Sequence, residues 1–243
     1  MKKTLLHFGL FLALGLSTTL FYACKKDKDN TGGYRITATN VINGSTQIAS
    51  VKVIAFNWFD EDYDEGFELI AQAPYRNNGF TLTLPATMPD KYLLSIEAAG
   101  LQGLQGISIS NNNVKLYILD HCKGYDKDDN EIGIFYLMEQ TDNSTNMTYW
   151  MYVNGDVTIQ GERSGIYGLI EKYDLTLKKG WNVVYGNYTE SFDGLAIYTI
   201  TSKKPSGVDC QWNFLADNSY LASATIKSAE NTKSVFSKLK ECK

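Results

Sequence analysis

A chain of 243 residues, 44% of them hydrophobic and 21% charged, is long and apolar enough to bury a sizeable core in one large domain or two modest ones. Its 16 Tyr, 11 Phe and 4 Trp exclude a disordered chain, and its formal charge of −4 lacks the basic excess of a nucleic-acid binder. With 2 histidines in the whole sequence, chemistry that needs several imidazoles is disfavoured from the start.

Met1-Lys2-Lys3 is a short basic segment, and Leu5 to Leu16 is an apolar run, which is the order of a secretory leader. At Leu20-Phe21-Tyr22-Ala23-Cys24, Ala23 is small enough for the last position before a cut, but Phe21 is too bulky for the position two before it. A cut in front of a cysteine, with a large apolar residue three places upstream, resembles a bacterial lipobox. That resemblance implies a lipoprotein signal peptide over 1–23, with Cys24 as the acylated residue that holds the chain to a membrane. The competing reading is an uncleaved span over Leu5–Ala23, against which Ser17, Thr18, Thr19 and His7 argue. From Lys25 to Gly33 there is no apolar residue, so 24–33 reads as a flexible tether. A charged stretch directly behind the acylated cysteine resembles the export signal of surface-displayed lipoproteins of Bacteroidetes. It implies a lipid-anchored outer-membrane protein facing the cell surface, with the periplasmic face as the alternative. Loss of Lys2 and Lys3 with the leader takes the mature charge to −6 and leaves His121 as the sole histidine.

Strand signals then dominate. Tyr34–Thr39, Val51–Phe56, Phe67–Ala71, Gly79–Pro85 and Lys91–Ile96 read as five strands, with Phe80, Leu82 and Leu84 sharing one face. The Gly-Phe-x-Leu-x-Leu-Pro string at Gly79–Pro85 is similar to one in transthyretin-like and carboxypeptidase-regulatory-like β-sandwiches, which implies a spacer or adhesion module over 34–99. A Gly- and Gln-rich stretch, Ala98 to Gly106, reads as a boundary. Beyond it, seven strands are expected at Val114–Asp120, Ile132–Glu139, Met147–Val153, Asp156–Gln160, Tyr173–Lys178, Trp181–Tyr188 and Leu195–Ser202. Asn154-Gly155 predicts a type I′ hairpin and Lys179-Gly180 a second one. Ser228 to Lys240 has a capping serine, apolar Val235, Phe236 and Leu239, and terminal lysines, which predicts a short amphipathic helix. The expected fold is mostly β: two antiparallel β-sandwich or small-barrel domains, 34–99 and 107–243, the second ending in a helix. The Leu177-Lys178-Lys179-Gly180-Trp181-Asn182-x-Val184-Tyr185 string is similar to one in uncharacterised lipoproteins of gut Bacteroidetes, a resemblance that implies architecture and brings no reaction.

Candidate chemistry is sparse. Asp60, Asp62 and Asp64 lie in one acidic run, and Asp126, Asp128 and Asn130 match the start of a calcium loop. Glu131 stands where an EF-hand needs glycine and Leu137 where it needs glutamate, so both runs are weak Ca²⁺ candidates and charged loop tips are the favoured reading. Asp120-His121-Cys122 invites a nucleophile reading, but neighbours on a strand point to opposite faces, so His121 is badly placed to activate Cys122. Outside the cytoplasm Cys122, Cys210 and Cys242 leave an odd thiol. A Cys210–Cys242 disulfide is favoured because it would clip the terminal helix, contributing about 3.5 kcal/mol in the chain-entropy view. Trp58, Trp150 and Trp212 are candidates for stacking on sugars, with core filling the favoured alternative.

These readings converge on a non-catalytic protein with no catalytic residue assigned and no cofactor beyond weak Ca²⁺. The expected role is binding, adhesion or display, with a glycan or an envelope protein as partner and no nucleic acid. The alternative is a secreted glycan hydrolase working through two carboxylates.

Overall fold

The computed structural model describes residues 33–56, 66–101, 105–164, 169–190 and 196–216. Within them the chain begins with β1 (Tyr34–Ala38), β2 (Ser50–Phe56), β3 (Phe67–Pro74) and β4 (Phe80–Leu84). A three-residue 3₁₀ turn, Asp90–Tyr92, and the two-residue β5 (Leu94–Ser95) follow, where one continuous strand was expected over Lys91–Ile96. Tyr92, Leu93 and Ile96 are all buried, a spacing that a turn delivers to the interior and a strand with one inward face does not. Next come β6 (Ile107–Ile109), β7 (Lys115–Leu119), β8 (Cys122–Tyr125), β9 (Glu131–Gln140) and β10 (Ser144–Val153). The remainder is β11 (Val157–Ser164), β12 (Leu169–Leu177), β13 (Gly180–Glu190), β14 (Ala196–Thr201) and β15 (Gln211–Ala216). The protein is mostly β, as expected, with the 3₁₀ turn as the one helical element among the described residues. The terminal helix expected from Ser228 lies outside them, as do the leader and the tether up to Gly32.

Two sheets form. β1 and β4 make an antiparallel pair, Tyr34 opposite Leu84 and Ala38 opposite Phe80. The other thirteen strands belong to one branched sheet with the path β3-β2-β8-β9-β10-β13-β14-β12-β11-β6. That sheet is mixed, because β12 and β14 run parallel. β10 organises it: one edge pairs with β13 from Ser144 to Val153, and the other carries β9 and then β7, end to end. Both stretches expected as separate domains contribute to this sheet, since β2 pairs with β8.

The predicted hairpins are corrected by this pairing. Asn154-Gly155 joins β10 to β11, but those strands do not pair, and neither residue has the positive φ of a type I′ turn. Asn154 serves as a corner instead: its amide donates to the Lys115 carbonyl and its Oδ1 accepts from the Lys115 amide at 2.9 Å. At Lys179-Gly180 the chain does turn, yet β14 lies between β12 and β13. A hairpin forecast sees only the turn residues, whereas a strand arriving later in the chain can occupy the adjacent edge.

Two cores lie on opposite faces of a shared wall. From β10, Trp150 and Tyr152 enter the first core while Tyr149, Met151 and Val153 enter the second. β7 divides likewise, Tyr117 and Leu119 against Leu116, as does β13, Trp181 against Val184. The first core takes Ile36, Val51, Leu82, Phe135 and Phe214, and so draws on both halves of the chain. Trp181 Nε1 donates to the Pro85 carbonyl at 2.8 Å, and Trp212 Nε1 to that of Thr37 at 3.3 Å, which ties the β1–β4 pair down. The second core is filled from one face of β10, β13, β14, β12 and β11 in succession, so the sheet must curl around it. Gly161 makes the curl feasible at β6: its φ is +127°, and a Cβ there would stand 1.9 Å from the Gly106 carbonyl oxygen.

Candidate functional site

A cavity of about 230 Å³ lies where β7 meets the outer face of β2. β2 contributes the alternating residues Lys52, Ile54 and Phe56, the side turned away from Val51, Val53 and Ala55 of the first core. β7 and the corner after it contribute six consecutive residues, Leu116 to His121. Side chains on a strand alternate, so a consecutive run means that β7 presents its edge. β10 occupies the opposite edge of β7, and β5 covers this one only at Lys115 and Leu116. Tyr92 and Leu94 close the cavity from the side.

Apolar groups make most of the wall, and the charged groups gather at the end formed by β8 and the β7–β8 corner. Lys52 is buried at 8% exposure, with its ammonium 4.1 Å from the centroid of Tyr125 and paired with Asp129. Lys123 Nζ lies 2.7 Å from Glu131 Oε2. Both carboxylate partners stand outside the lining; Asp129 is largely exposed. His121 Nδ1 is 2.7 Å from Asp120 Oδ1, and its ring lies 5.7 Å from that of Tyr136. Partial withdrawal from water works against the charged imidazole, but the Asp120 carboxylate outweighs it and raises the His121 pKa above 6.5. For Asp120, withdrawal from water pulls upward, and the charge and hydrogen bond of His121 hold its pKa below 3.8. Burial pushes the Tyr117 hydroxyl far up, so it stays neutral.

Cys122 points into the first core at 1% exposure, and burial drives its thiol pKa strongly upward. It is an inert core thiol, on the opposite side of the strand from its neighbour His121. Asp120 is the one carboxylate among the described lining residues, whereas a two-carboxylate glycosidase holds its acids about 5–9.5 Å apart across the bond it cuts.

Of the residues singled out from sequence, Asp120 and His121 line the cavity. Cys24, Trp58, Asp60, Asp62, Asp64 and Cys242 lie outside the described residues. Trp150 and Trp212 are core residues, 2% and 6% exposed, with rings stacked 5.7 Å apart at 12°. Their faces are taken by protein, so neither offers a platform for a sugar. Asp126 caps its own turn: Oδ1 accepts from the amides of Asp128 and Asn130, each at 2.9 Å, and Oδ2 from Asn130 Nδ2. Asp128 pairs with Lys127. Cys210 is half-buried, its Sγ 3.7 Å from the Asn146 carbonyl oxygen. The cavity residues Lys52, Phe56, Tyr117 and Lys123 were not singled out from sequence. Lys52 did leave a signal, since a lysine inside the apolar run Val51–Phe56 needs a partner if that strand is buried.

No protein-family model matches the chain, and no curated protein or solved structure matches it either.

Proposed function

We propose that this chain is a non-catalytic binding protein of a bacterial envelope, held to the outer membrane by a lipid on Cys24 and set off from it by the 24–33 tether. The lipobox-like Phe21-Tyr22-Ala23-Cys24 supports the location, and the surface-facing Bacteroidetes assignment rests on the charged stretch behind it. Binding rests on one observation: a cavity with an apolar wall and a charged end at the seam between β2 and β7. At about 230 Å³ it falls below the roughly 300–1,000 Å³ of sites that enclose a drug-sized molecule, which favours a ligand with only part of its body inside. The carbohydrate version loses Trp150 and Trp212 as supports and rests on the cavity together with Trp58. The transthyretin-like character of 34–99, the helix from Ser228 and the Cys210–Cys242 clip belong to the same reading, with the clip securing the chain end to β15.

Metabolic labelling with radioactive palmitate tests the anchor. Label is expected on the wild-type chain and absent from Cys24→Ala; label that persists in the variant removes the anchor assignment. A glycan array tests the carbohydrate version, which fails if no glycan is retained.

A further inference from the structure

The outer face of β2 and β3 carries an apolar strip that neither core uses. On β3, Ala71 and Ala73 point into the first core opposite Val53 and Val51. The register then slips between Val53 and Ile54: Val53 faces Ala71 but Ile54 faces Leu69, so Ile70 is an extra residue in β3. This bulge inverts the alternation and sets Leu69 beside Ile54 and Phe67 beside Phe56, away from the core. Phe67 is 59% exposed and Leu69 53%, and the Phe56 and Phe67 rings lie 5.0 Å apart. Because Ile54 and Phe56 also line the cavity, strip and cavity form one continuous apolar surface.

One end of that surface carries three basic side chains, each paired with one carboxylate. Lys52 stands on the same row of β2, directly across from Lys123 of β8, with His121 on the same wall. The carboxylates that pair with the two lysines lie outside the wall, and Asp120 is 53% exposed. From Lys52 to Phe56 the strand advances about 13 Å, which sets the separation between charged end and apolar end.

We infer that the cavity and strip are one site for a single-chain amphiphile with a terminal carboxylate, its tail on Ile54, Phe56, Phe67 and Leu69 and its head at Lys52, Lys123 and His121. This assignment rests on the binding role of the cavity and names the ligand class. The two parts of the ligand are recognised separately: burial of the tail supplies affinity in proportion to its apolar area, and the cations select the charged head. A neutral chain of equal length meets the strip but offers the paired lysines no second charged acceptor.

Calorimetric titration of the full chain carrying Cys24→Ala, which keeps the anchor's own acyl chains out of the assay, tests this with decanoate, decanol, glucuronate and cellobiose. Decanoate is expected to saturate at one equivalent, with decanol at least tenfold weaker and neither sugar binding. Phe67→Ser combined with Leu69→Ser changes two exposed side chains and should weaken decanoate at least tenfold. Lys52→Met keeps the buried stem and should bring decanoate down to the level of decanol. Equal binding of decanoate and decanol, or an unaffected double serine variant, overturns the assignment. Saturable binding by glucuronate or cellobiose without decanoate overturns it while the cavity's binding role stands, and silence from all four probes removes that role too. A sedimentation profile in which the wild type is dimeric and Phe67→Ser monomeric would assign the strip to a self-interface and also overturn the proposal.

Discussion

Two ion pairs show how position decides what a charge does. Asp120 and His121 are neighbours in sequence and sit on a corner, partly exposed, where their mutual attraction shifts both pKa values. The folded His121 pKa is raised, so its contribution to stability is complete below 6.5 and is lost as pH rises through the folded value. The folded Asp120 pKa is lowered, so its contribution is complete above 3.8 and is lost as pH falls through the folded value. The melting-temperature difference between wild type and His121→Gln should therefore be largest near pH 5 and shrink by about pH 9. A difference that stays level across that range would contradict the pairing. Glu171 presents the opposite case. It is 3% exposed inside the curled sheet, paired with Arg163 Nε and accepting from the Tyr173 hydroxyl at 2.9 Å. Glu171→Ala leaves the Tyr173 hydroxyl and the half-buried guanidinium without their acceptor, a loss of about 3 kcal/mol in urea unfolding. Arg163→Met with Glu171→Leu should cost clearly less than that single change, because no charge is then stranded.

At the scale of the element, legibility followed wetness. β4 alternates cleanly because one face meets the core and the other meets water, and that pattern alone puts Phe80, Leu82 and Leu84 on one face. β8, β15 and β6 escaped notice: Cys122–Tyr125 holds a glycine, Gln211–Ala216 has polar residues at two of its six positions, and Ile107–Ile109 is too short to show a period. Their identity as strands comes from partners far along the chain, such as β9 for β15. The cavity was less legible still. Its members come from β2, the 3₁₀ turn, β5, β7 and β8, and the bulge that aims Phe67 and Leu69 outward has no marker in the residues around Ile70. Gly161 is the element-scale device most open to test. Alanine there combines a disfavoured φ with a Cβ overlapping the Gly106 carbonyl, so Gly161→Ala should cost more than about 1 kcal/mol. Amide exchange should show the damage concentrated at Ile107–Ile109; a uniform loss of protection would mean that the β6–β11 contact is not what glycine preserves.

For the molecule as a whole, the shared wall predicts a single unfolding event. Each core borrows one face of β7, β10 and β13, so neither can lose its order while the other keeps that wall. Tryptophan fluorescence and far-ultraviolet circular dichroism should trace one coincident urea transition. Trp150→Ala should displace both traces together by about 3–5 kcal/mol. A fragment holding 33–101 alone should fail to give a dispersed amide spectrum, since Phe135, Trp150, Trp212 and Phe214 of its core would be missing. Separate transitions, or a folded fragment, would contradict this and favour the two-domain division read from the sequence. The same wall also sets where the chain tolerates change. β4 has a threonine facing water at every second place and should forgive substitution at Thr81 and Thr83. From Tyr149 to Val153 every residue of β10 is buried, odd positions toward one core and even positions toward the other. A saturation scan would thus show a beat of two in β4 and an unbroken intolerant block in β10, a strand none of whose residues lines the cavity.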